Sequence, residues 1–328
     1  MTSRSVIIPF HRYQPHVGEA YRVLFEYFLK NLPIWADEFD KLYLIDSDMN
    51  FTEEDLARVK AIKPNTVICK KEIDGSQWVQ FHWIIPQISE DNMLFIDHDL
   101  IINKKGVVEG WFKAIDEGYD FVGSFDSSGG LREQIHNRFP FMKEHDFTRM
   151  GSYYFILTKK LLAKTGKPDF TPVYNQEGLN IPELNYTMTK DDWMDSFGMF
   201  TIKMLNFDPK IKIIEDPRDS IYLIDDKIVK DIQTPKNLGY YHIRNANLAN
   251  YIMSSRNGYP EQYTGGLTNN PRELLRLLAW SQIMSETIPD THQRSLIQCG
   301  RVNVLKDMEV DLEIWSDYMI EFRKYHQL

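Results

Sequence analysis

The chain has 328 residues, of which 43% are hydrophobic and 26% are charged, and this is the composition of an ordinary globular protein. Its length is enough for one large α/β domain, or for one domain with an appended helical part. The formal net charge of −9 argues against a broad nucleic-acid-binding surface. The two cysteines, Cys69 and Cys299, are too few and too far apart to indicate a disulfide framework, so we expect a reducing compartment.

The apolar segments of the chain are all short. None approaches the roughly 18 residues that a membrane-spanning helix needs. The first one, residues 5–10, is too short for the hydrophobic region of a signal peptide and lacks a small-residue cleavage site. We therefore expect no integral membrane segment and a cytoplasmic location, and we interpret residues 5–10 as a strand.

The first 125 residues alternate between short apolar runs and longer segments of helical periodicity. The apolar runs predict strands over residues 5–10, 41–45, 66–69 and 93–96. The periodic segments predict three helices. The first spans residues 17–32 and is closed by Pro33, the second spans 52–62 and is capped by Thr52, and the third spans 75–88 and is bent by Pro86. This alternation predicts a mostly parallel sheet flanked by helices.

Polar residues follow three of these strands at the points where the strands end. Ligands of parallel sheets bind outside the carboxyl ends of the strands, so we expect these residues to converge. They are Pro9-Phe10-His11-Arg12, Asp46-Ser47-Asp48 and Asp97-His98-Asp99. The carboxylates of Asp97 and Asp99 form a hard-oxygen pair suited to Mg²⁺ or Mn²⁺. Alternation along an extended backbone points His98 away from such an ion.

The second half of the chain has a less regular pattern. It predicts strands over residues 121–125 and 153–157, an irregular connection over 126–149, a loop over 166–190 and a helix over 191–205. We expect Trp193 on the inner face of that helix, and Asp191 and Asp192 in its first turn. From residue 270 onward the pattern predicts helices.

The segments SVIIPF (5–10), LYLIDS (42–47) and MLFIDHD (93–99) together resemble the donor half of glycosyltransferases with the GT-A fold, nearest to the inverting family 2 type. The resemblance is good over residues 5–125, looser to about residue 245 and absent beyond residue 270. It implies an α/β, GT-A (Rossmann-like) domain over residues 1–265, with a donor half over 1–125 and an acceptor half over 126–265. A C-terminal helical extension, residues 266–328, follows.

The resemblance implies a site for a UDP- or GDP-sugar in the donor half. Asp97 and Asp99 match the Asp-x-Asp motif that holds a divalent cation, Mn²⁺ or Mg²⁺. A late histidine completes the metal or diphosphate shell in some members, and His242 stands in that position. The donor-binding residues implied by the resemblance are Pro9, Phe10, His11, Arg12, Asp46, Asp48, Asp97 and His98.

The resemblance also implies an acceptor side and a catalytic base. The segment MGSYYF (150–155) is similar to a strand that lines the acceptor cleft, which implies roles for Gly151, Ser152 and Tyr153. The segment TKDDW (189–193) resembles the acidic pair that carries the base. This chain has Asp-Asp where Glu-Asp is usual, so the choice of base stays open between Asp192, which we prefer, and Asp191. The implied reaction transfers a hexosyl-type sugar to a hydroxyl of a glycan or other acceptor, with inversion by single displacement.

Each candidate residue also has an ordinary structural explanation. Carboxylates at strand ends, such as Asp97 and Asp99, are commonly solvated. Asp191 and Asp192 would complement the dipole of a helix without any catalytic role. A histidine beside tyrosines, such as His242, is often only packed and hydrogen-bonded.

The whole chain likewise allows other functions. One is a non-catalytic, GT-A-like binding or scaffold module. Another is a glycosyltransferase acting on modified nucleic acid, which the negative net charge disfavours. Its basic contacts would be Arg132, Arg138, Lys143 and Arg149. A nucleotidylyltransferase is disfavoured because residues 9–14 contain no glycine for a phosphate-binding loop. For every function considered, the C-terminal helices offer a surface for oligomerisation.

Overall fold

The computed structural model describes residues 2–11, 20–47, 51–70, 77–215, 221–224, 227–230, 238–242, 271–287 and 291–326. The chain divides into two compact units. The first, here called the sheet unit, comprises Met1–His11, Ala36–Asp97 and Val108–Asp216. The second, called the helical unit, comprises Arg12–Trp35, His98–Val107 and Pro217–Leu328.

A seven-stranded sheet forms the centre of the sheet unit. Its strands, numbered in chain order through the whole molecule, are β1 (Arg4–His11), β2 (Lys41–Ser47), β3 (Thr66–Lys70), β4 (Asn92–Ile96), β6 (Phe121–Asp126), β7 (Arg149–Thr158) and β12 (Ile211–Ile213). They lie in the order β12-β6-β7-β4-β1-β2-β3. Every neighbouring pair is parallel except the two that involve β7. The predicted fold class, an α/β protein with a mostly parallel sheet, is therefore confirmed.

Helices and short strand pairs surround this sheet. The helices are α2 (Glu53–Ile62), α3 (Gln77–Ile84), α4 (Val107–Asp116), α5 (Arg132–Arg138), α6 (Pro140–Glu144), α7 (Lys159–Thr165) and α8 (Gly198–Leu205). The short strands are β8 (Val173–Tyr174), β9 (Asn180–Ile181), β10 (Tyr186–Thr187) and β11 (Trp193–Met194). The predicted cap of α2 is confirmed, because the Thr52 hydroxyl accepts a hydrogen bond from the Asp55 backbone N–H at 3.1 Å.

Aromatic side chains fill the core on one face of the sheet. Phe81 of α3 is fully buried, and its ring lies 4.8 Å from that of Phe95, 5.8 Å from Phe155 and 6.0 Å from Phe197, all in edge-to-face geometry. Such ring pairs add to the stabilisation that burial provides. This packing fixes the inner strands β4 and β7. Strand β4 ends, and the antiparallel strand β7 begins, at the carboxyl edge of the sheet.

Within the described residues, the helical unit contains three C-terminal helices, an N-terminal helix and two strand pairs. The helices are α1 (Ala20–Trp35), α9 (Pro271–Ser285), α10 (Thr291–Asp307) and α11 (Leu312–His326). Strand β5 (Leu100–Ile102) pairs antiparallel with β15 (Tyr240–His242), and β13 (Ile221–Ile224) pairs with β14 (Lys227–Lys230). Leu24, Ile101, Trp280 and Phe322 share one buried cluster. None of the helices in the described residues is long and apolar enough to span a bilayer.

Three local predictions are wrong. Helix α1 continues past Pro33 to Trp35. The irregular connection over 126–149 contains α5 and α6, which are too short to show helical periodicity in the sequence. The helix over 191–205 begins only at Gly198, because residues 193–194 pair with β8 and Phe197 has a left-handed φ of 72°. The predicted domain boundary at residue 265 lies outside the described residues and stays a prediction.

Candidate functional site

Polar residues of the sheet unit gather where its parallel strands end. Strand β7 runs against its neighbours, so its first residues lie at the edge where β4 and β6 finish. Arg149 at the start of β7 is in register with Asp126 at the end of β6. The backbone N–H of Asp97, directly after β4, donates to the Tyr153 carbonyl at 2.7 Å. The predicted convergence at the carboxyl edge thus includes a strand from the second half of the chain.

A buried arginine organises this edge. The side chain of Arg149 is 7% exposed, and its Nη2 lies 3.5 Å from Asp126 Oδ2 and 3.1 Å from Asp195 Oδ2. The Tyr153 hydroxyl donates to the same Asp126 oxygen at 3.0 Å, and Arg149 Nε donates to the Ser128 carbonyl at 2.8 Å. We call Asp126, Arg149, Tyr153 and Asp195 the edge cluster. One cation thus lies between two carboxylates, whose side chains are 5% exposed at Asp126 and 30% exposed at Asp195.

Sequence reasoning missed most of the edge cluster. Of its members, only Tyr153 was expected in a site, and Arg149 was considered only as a contact for nucleic acid. The available signal was Asp126, an aspartate that follows an apolar run just as Asp97 does. The pairing of Arg149 with Asp195 spans 46 residues and has no sequence pattern of its own.

The predicted acceptor-side residues lie along the first half of β7. A Cβ on Gly151 would stand 2.3 Å from Ser124 Oγ, so the close approach of β6 and β7 requires glycine there. The carbonyl of Ser152 accepts a hydrogen bond from Gln77 Nε2 at 3.2 Å. Gly151 therefore allows the close approach of the two strands, and the acceptor-side roles of Gly151, Ser152 and Tyr153 stay predictions.

The predicted donor-side residues of β1 and β2 are adjacent. In the β1–β2 register, Phe10 is opposite Asp46 and His11 is opposite Ser47. Asp46 is 6% exposed, and its Oδ2 accepts from the Phe51 backbone N–H at 3.3 Å. Pro9 and Phe10 are buried. Arg12 and Asp48 lie outside the described residues.

Asp192 is held by local hydrogen bonds at one of its two oxygens. Oδ2 accepts from the Tyr186 hydroxyl at 2.7 Å, the Thr189 backbone N–H at 2.6 Å and the Thr189 hydroxyl at 2.9 Å. Oδ1 accepts no hydrogen bond from the residues that the structure describes. Partial burial raises the pKa of Asp192, but these hydrogen bonds outweigh it and leave the pKa lowered. Asp192 is therefore an ionised, anchored carboxylate at neutral pH, whereas its neighbour Asp191 is exposed.

The helical unit holds the second half of the Asp-x-Asp motif together with the late histidine. His242 in β15 pairs with Leu100 in β5, which brings its Nε2 to 3.3 Å from Asp99 Oδ1. Asp99 and His242 are 8% and 3% exposed. Asp99 Oδ1 is buried and accepts no hydrogen bond within the described part of the chain. Asp97 is the last residue of the sheet unit, and the buried His98 begins the helical unit.

A buried carboxylate oxygen with no donor is costly unless something else compensates it. The nitrogen that faces it belongs to an imidazole, which is a donor or an acceptor according to its tautomer. Carboxylate oxygen and imidazole nitrogen are both ligands for Mn²⁺ and for Mg²⁺ in its less common nitrogen-containing sites. Asp99 and His242 therefore fit a divalent cation.

No protein-family model matches the chain, and no curated protein matches it. Among solved structures it is similar to mouse xyloside xylosyltransferase 1 in the apo form, with 12% identity, 74% of this chain and 98% of that chain covered, and a TM-score of 0.40. It is also similar to the mannosyltransferase PcManGT of Pyrobaculum calidifontis in complex with GDP-Man and Mn²⁺, with 12% identity, 99% and 87% covered, and a TM-score of 0.38.

A third similar structure is the glycosyltransferase GlyE of Streptococcus pneumoniae TIGR4, with 16% identity and a TM-score of 0.31. The match covers 51% of this chain and only 37% of that one. All three are glycosyltransferases, the class of protein that the sequence resembles. Their TM-scores are below 0.5, so the case for a function rests on the residues of this chain.

Proposed function

We propose that the chain is a metal-dependent glycosyltransferase that moves a sugar from a UDP- or GDP-sugar to an acceptor hydroxyl. The observation that carries this proposal is the buried Oδ1 of Asp99, which accepts no hydrogen bond within the described residues and lies 3.3 Å from His242 Nε2. Asp97 precedes Asp99 by two residues, directly after a strand of a mostly parallel sheet. That is where ligands of such sheets bind.

The residues that would hold the cation are Asp97, Asp99 and His242, a group of metal-ligating side chains. Two residues of extended chain span at most about 7 Å between Cα atoms, so the Asp97 carboxylate can reach an ion bound by Asp99. A bound Mn²⁺ or Mg²⁺ would neutralise the negative charge that develops on the diphosphate as the sugar leaves.

The donor nucleotide would lie against the ends of β1 and β2. Residues Pro9–His11 and Asp46 form adjacent positions there, and the Phe51 backbone fixes the Asp46 carboxylate. A fixed carboxylate beside a strand end can accept hydrogen bonds from a base or a ribose hydroxyl. Asp48, Arg12 and His98 remain proposed members of this donor site.

The acceptor would lie on the side of β7, with Asp192 as general base. Because three donors occupy Oδ2, the carboxylate is oriented and Oδ1 can accept the proton of an acceptor hydroxyl. Its lowered pKa keeps it ionised at neutral pH. Attack by that hydroxyl opposite the leaving diphosphate inverts the anomeric centre in one displacement.

Titration calorimetry of UDP and GDP, with and without Mn²⁺, tests the proposal. We expect binding that requires the metal, and Asp99→Asn should weaken it by at least about 10-fold, since the amide lacks the ligand charge. Asp317→Asn, which changes an exposed aspartate of α11, is the matched control and should bind as the wild type does. Wild-type protein that binds neither nucleotide in the presence of Mn²⁺ would contradict the proposal.

The structure weakens the nucleic-acid alternative. Arg149 is buried in the edge cluster, Arg132 pairs with Asp146, and Arg138 donates to the Glu183 carbonyl at 3.1 Å. Three of the four basic side chains considered for that role are therefore already engaged. A scaffold module would bind nucleotide without releasing sugar. Slow donor hydrolysis, with water as the acceptor, separates an enzyme from such a module.

A further inference from the structure

Two large aromatic side chains stand side by side on the surface of the acceptor half. In the antiparallel pair β8–β11, Val173 is opposite Met194 and Tyr174 is opposite Trp193. Alternation turns the first pair inward, where both side chains are buried, and the second pair outward. Tyr174 is 51% exposed and Trp193 is 42% exposed, so the expected core position of Trp193 is wrong.

The rings of Tyr174 and Trp193 have a defined relative orientation. Their planes differ by 12° and their centroids are 6.3 Å apart, which is an offset arrangement of nearly parallel rings. The backbone of Trp193 is packed against Gly130, where a Cβ would stand 1.7 Å from the Trp193 carbonyl oxygen. The loop after β6 therefore holds Trp193 in place.

Two carboxylates lie close to Trp193 in the sequence. Asp192 precedes Trp193 directly and is anchored through one oxygen. Asp195 follows two residues later and is bound to Arg149. Partial burial, followed by the negative charge of Asp195, raises the pKa of Tyr174, while Arg149 opposes this rise. The Tyr174 hydroxyl thus lies within electrostatic reach of the edge cluster.

We propose that Tyr174 and Trp193 form a stacking platform for a sugar ring of a neutral oligosaccharide acceptor. The C–H groups on one face of a pyranose are apolar and pack on an aromatic ring, while the hydroxyls at its rim reach carboxylates such as those of Asp192 and Asp195. The platform rests on the proposed function in one respect, namely that its occupant is the glycan to which the sugar is transferred.

The charges around the platform favour a neutral sugar over other occupants that stack. A single-stranded nucleic acid also stacks on aromatic rings, but it brings phosphates. Asp191, Asp192 and Asp195 would repel those phosphates. The oligosaccharide is therefore the occupant to which we commit, and an oligonucleotide is a competing outcome of the test.

The test measures binding of maltotetraose, cellotetraose, xylotetraose, chitotetraose and mannotetraose by saturation-transfer NMR, with Kd values from calorimetry. We expect at least one of them to bind the wild type. Trp193→Ala should raise that Kd at least about 10-fold, because stacking on an aromatic ring supplies a large part of the binding energy of such a contact. Tyr174→Ala should raise it less, and Trp193→Phe should restore most of the affinity.

Phe207→Ala is the matched control, because Phe207 is 49% exposed and lies outside the platform. It should leave the Kd unchanged, and thermal unfolding checks that every variant folds. The proposal is overturned if no oligosaccharide binds the wild type, if Trp193→Ala binds it as well as Phe207→Ala does, or if an oligothymidylate is the ligand that depends on Trp193. Oligosaccharide binding that depends on Trp193 without metal-dependent nucleotide binding would overturn the proposed function and leave the platform standing.

Discussion

The two edges of the central sheet are both acidic, but they hold their charges differently. At the amino edge a cavity of about 1010 Å³ is lined by Asp37, Glu38, Asp40, Asp91, Asp116 and Asp120. Asp116 and Asp120 there pair with Arg4, Lys160 and Lys164, whose side chains are 25%, 71% and 43% exposed. At the carboxyl edge a single arginine, 7% exposed, lies between two carboxylates.

This difference shows that volume and acidity do not by themselves identify a site. In each pair of the amino edge one partner is open to solvent, namely Asp116 at 42%, Lys160 at 71% and Lys164 at 43% exposure. Water screens such pairs, so they contribute little to stability. A buried arginine between carboxylates is strongly coupled, and losing one partner leaves a charge uncompensated. The carboxyl edge is also where β4 ends in the Asp-x-Asp motif and where ligands of parallel sheets bind.

The largest expected effect concerns Asp192, the proposed base. Asp192→Asn should lower the rate of donor hydrolysis by about 10²–10⁴-fold, because the amide cannot accept the proton, while nucleotide binding persists. Nucleotide release measures the rate, and ¹H NMR of the sugar product gives its anomeric configuration, which should be inverted.

Asp191→Asn distinguishes between the two adjacent carboxylates. Asp191 is exposed and lacks the three-donor anchor of Asp192, so its variant should retain most of the rate. A loss confined to Asp191→Asn would assign the base to that residue instead. A product with retained configuration would contradict single displacement.

The next effect tests the coupling within the edge cluster. Arg149→Met keeps the length of the side chain but leaves Asp126, which is 5% exposed at its side chain, beside Asp195 without a cation. Urea denaturation should show a loss of about 3–5 kcal/mol in the free energy of unfolding. Adding Asp126→Asn to that variant should recover part of the loss. A loss below about 1 kcal/mol would place this cluster in the same class as the exposed pairs of the amino edge.

Local sequence patterns predict only those residues of the carboxyl edge that directly follow an apolar strand. Strands β1 to β4 are continuous apolar runs, as buried parallel strands are, so Asp46, Asp97 and Asp99 could be placed at strand ends. The edge cluster could not be placed, because it depends on β7 running against its neighbours and on a pairing across 46 residues.

Residues 191–205 show a second limit of sequence patterns. Trp193, Phe197, Phe200 and Met204 have helical spacing, and that spacing predicted a helix from residue 191. A strand of two residues has no period, so the sequence pattern does not predict β11. The left-handed backbone of Phe197 separates β11 from α8. As a result, Trp193 was expected in the core although it lies on the surface.

The smallest expected effect belongs to the amino edge. Asp120 Oδ1 accepts from Lys160 Nζ at 3.1 Å and Oδ2 accepts from the Lys210 backbone N–H at 3.2 Å. Burial raises its pKa, but these donors and the nearby lysine charges outweigh burial and leave the pKa lowered. Asp120→Asn should therefore cost at most about 1 kcal/mol at neutral pH and leave nucleotide binding unchanged.

The pH dependence of that small effect follows from the direction of the shift. A carboxyl whose pKa is lower in the folded chain contributes stability above its unfolded pKa, about 3.9, and loses it as the pH falls through the folded value. The difference in unfolding free energy between wild type and Asp120→Asn should hence shrink on acidification below about pH 4. Urea denaturation across this range measures it. If the difference in unfolding free energy stayed constant with pH, the packing of Asp120 rather than its charge would matter at the amino edge. The comparison of charges would then hold only for the carboxyl edge.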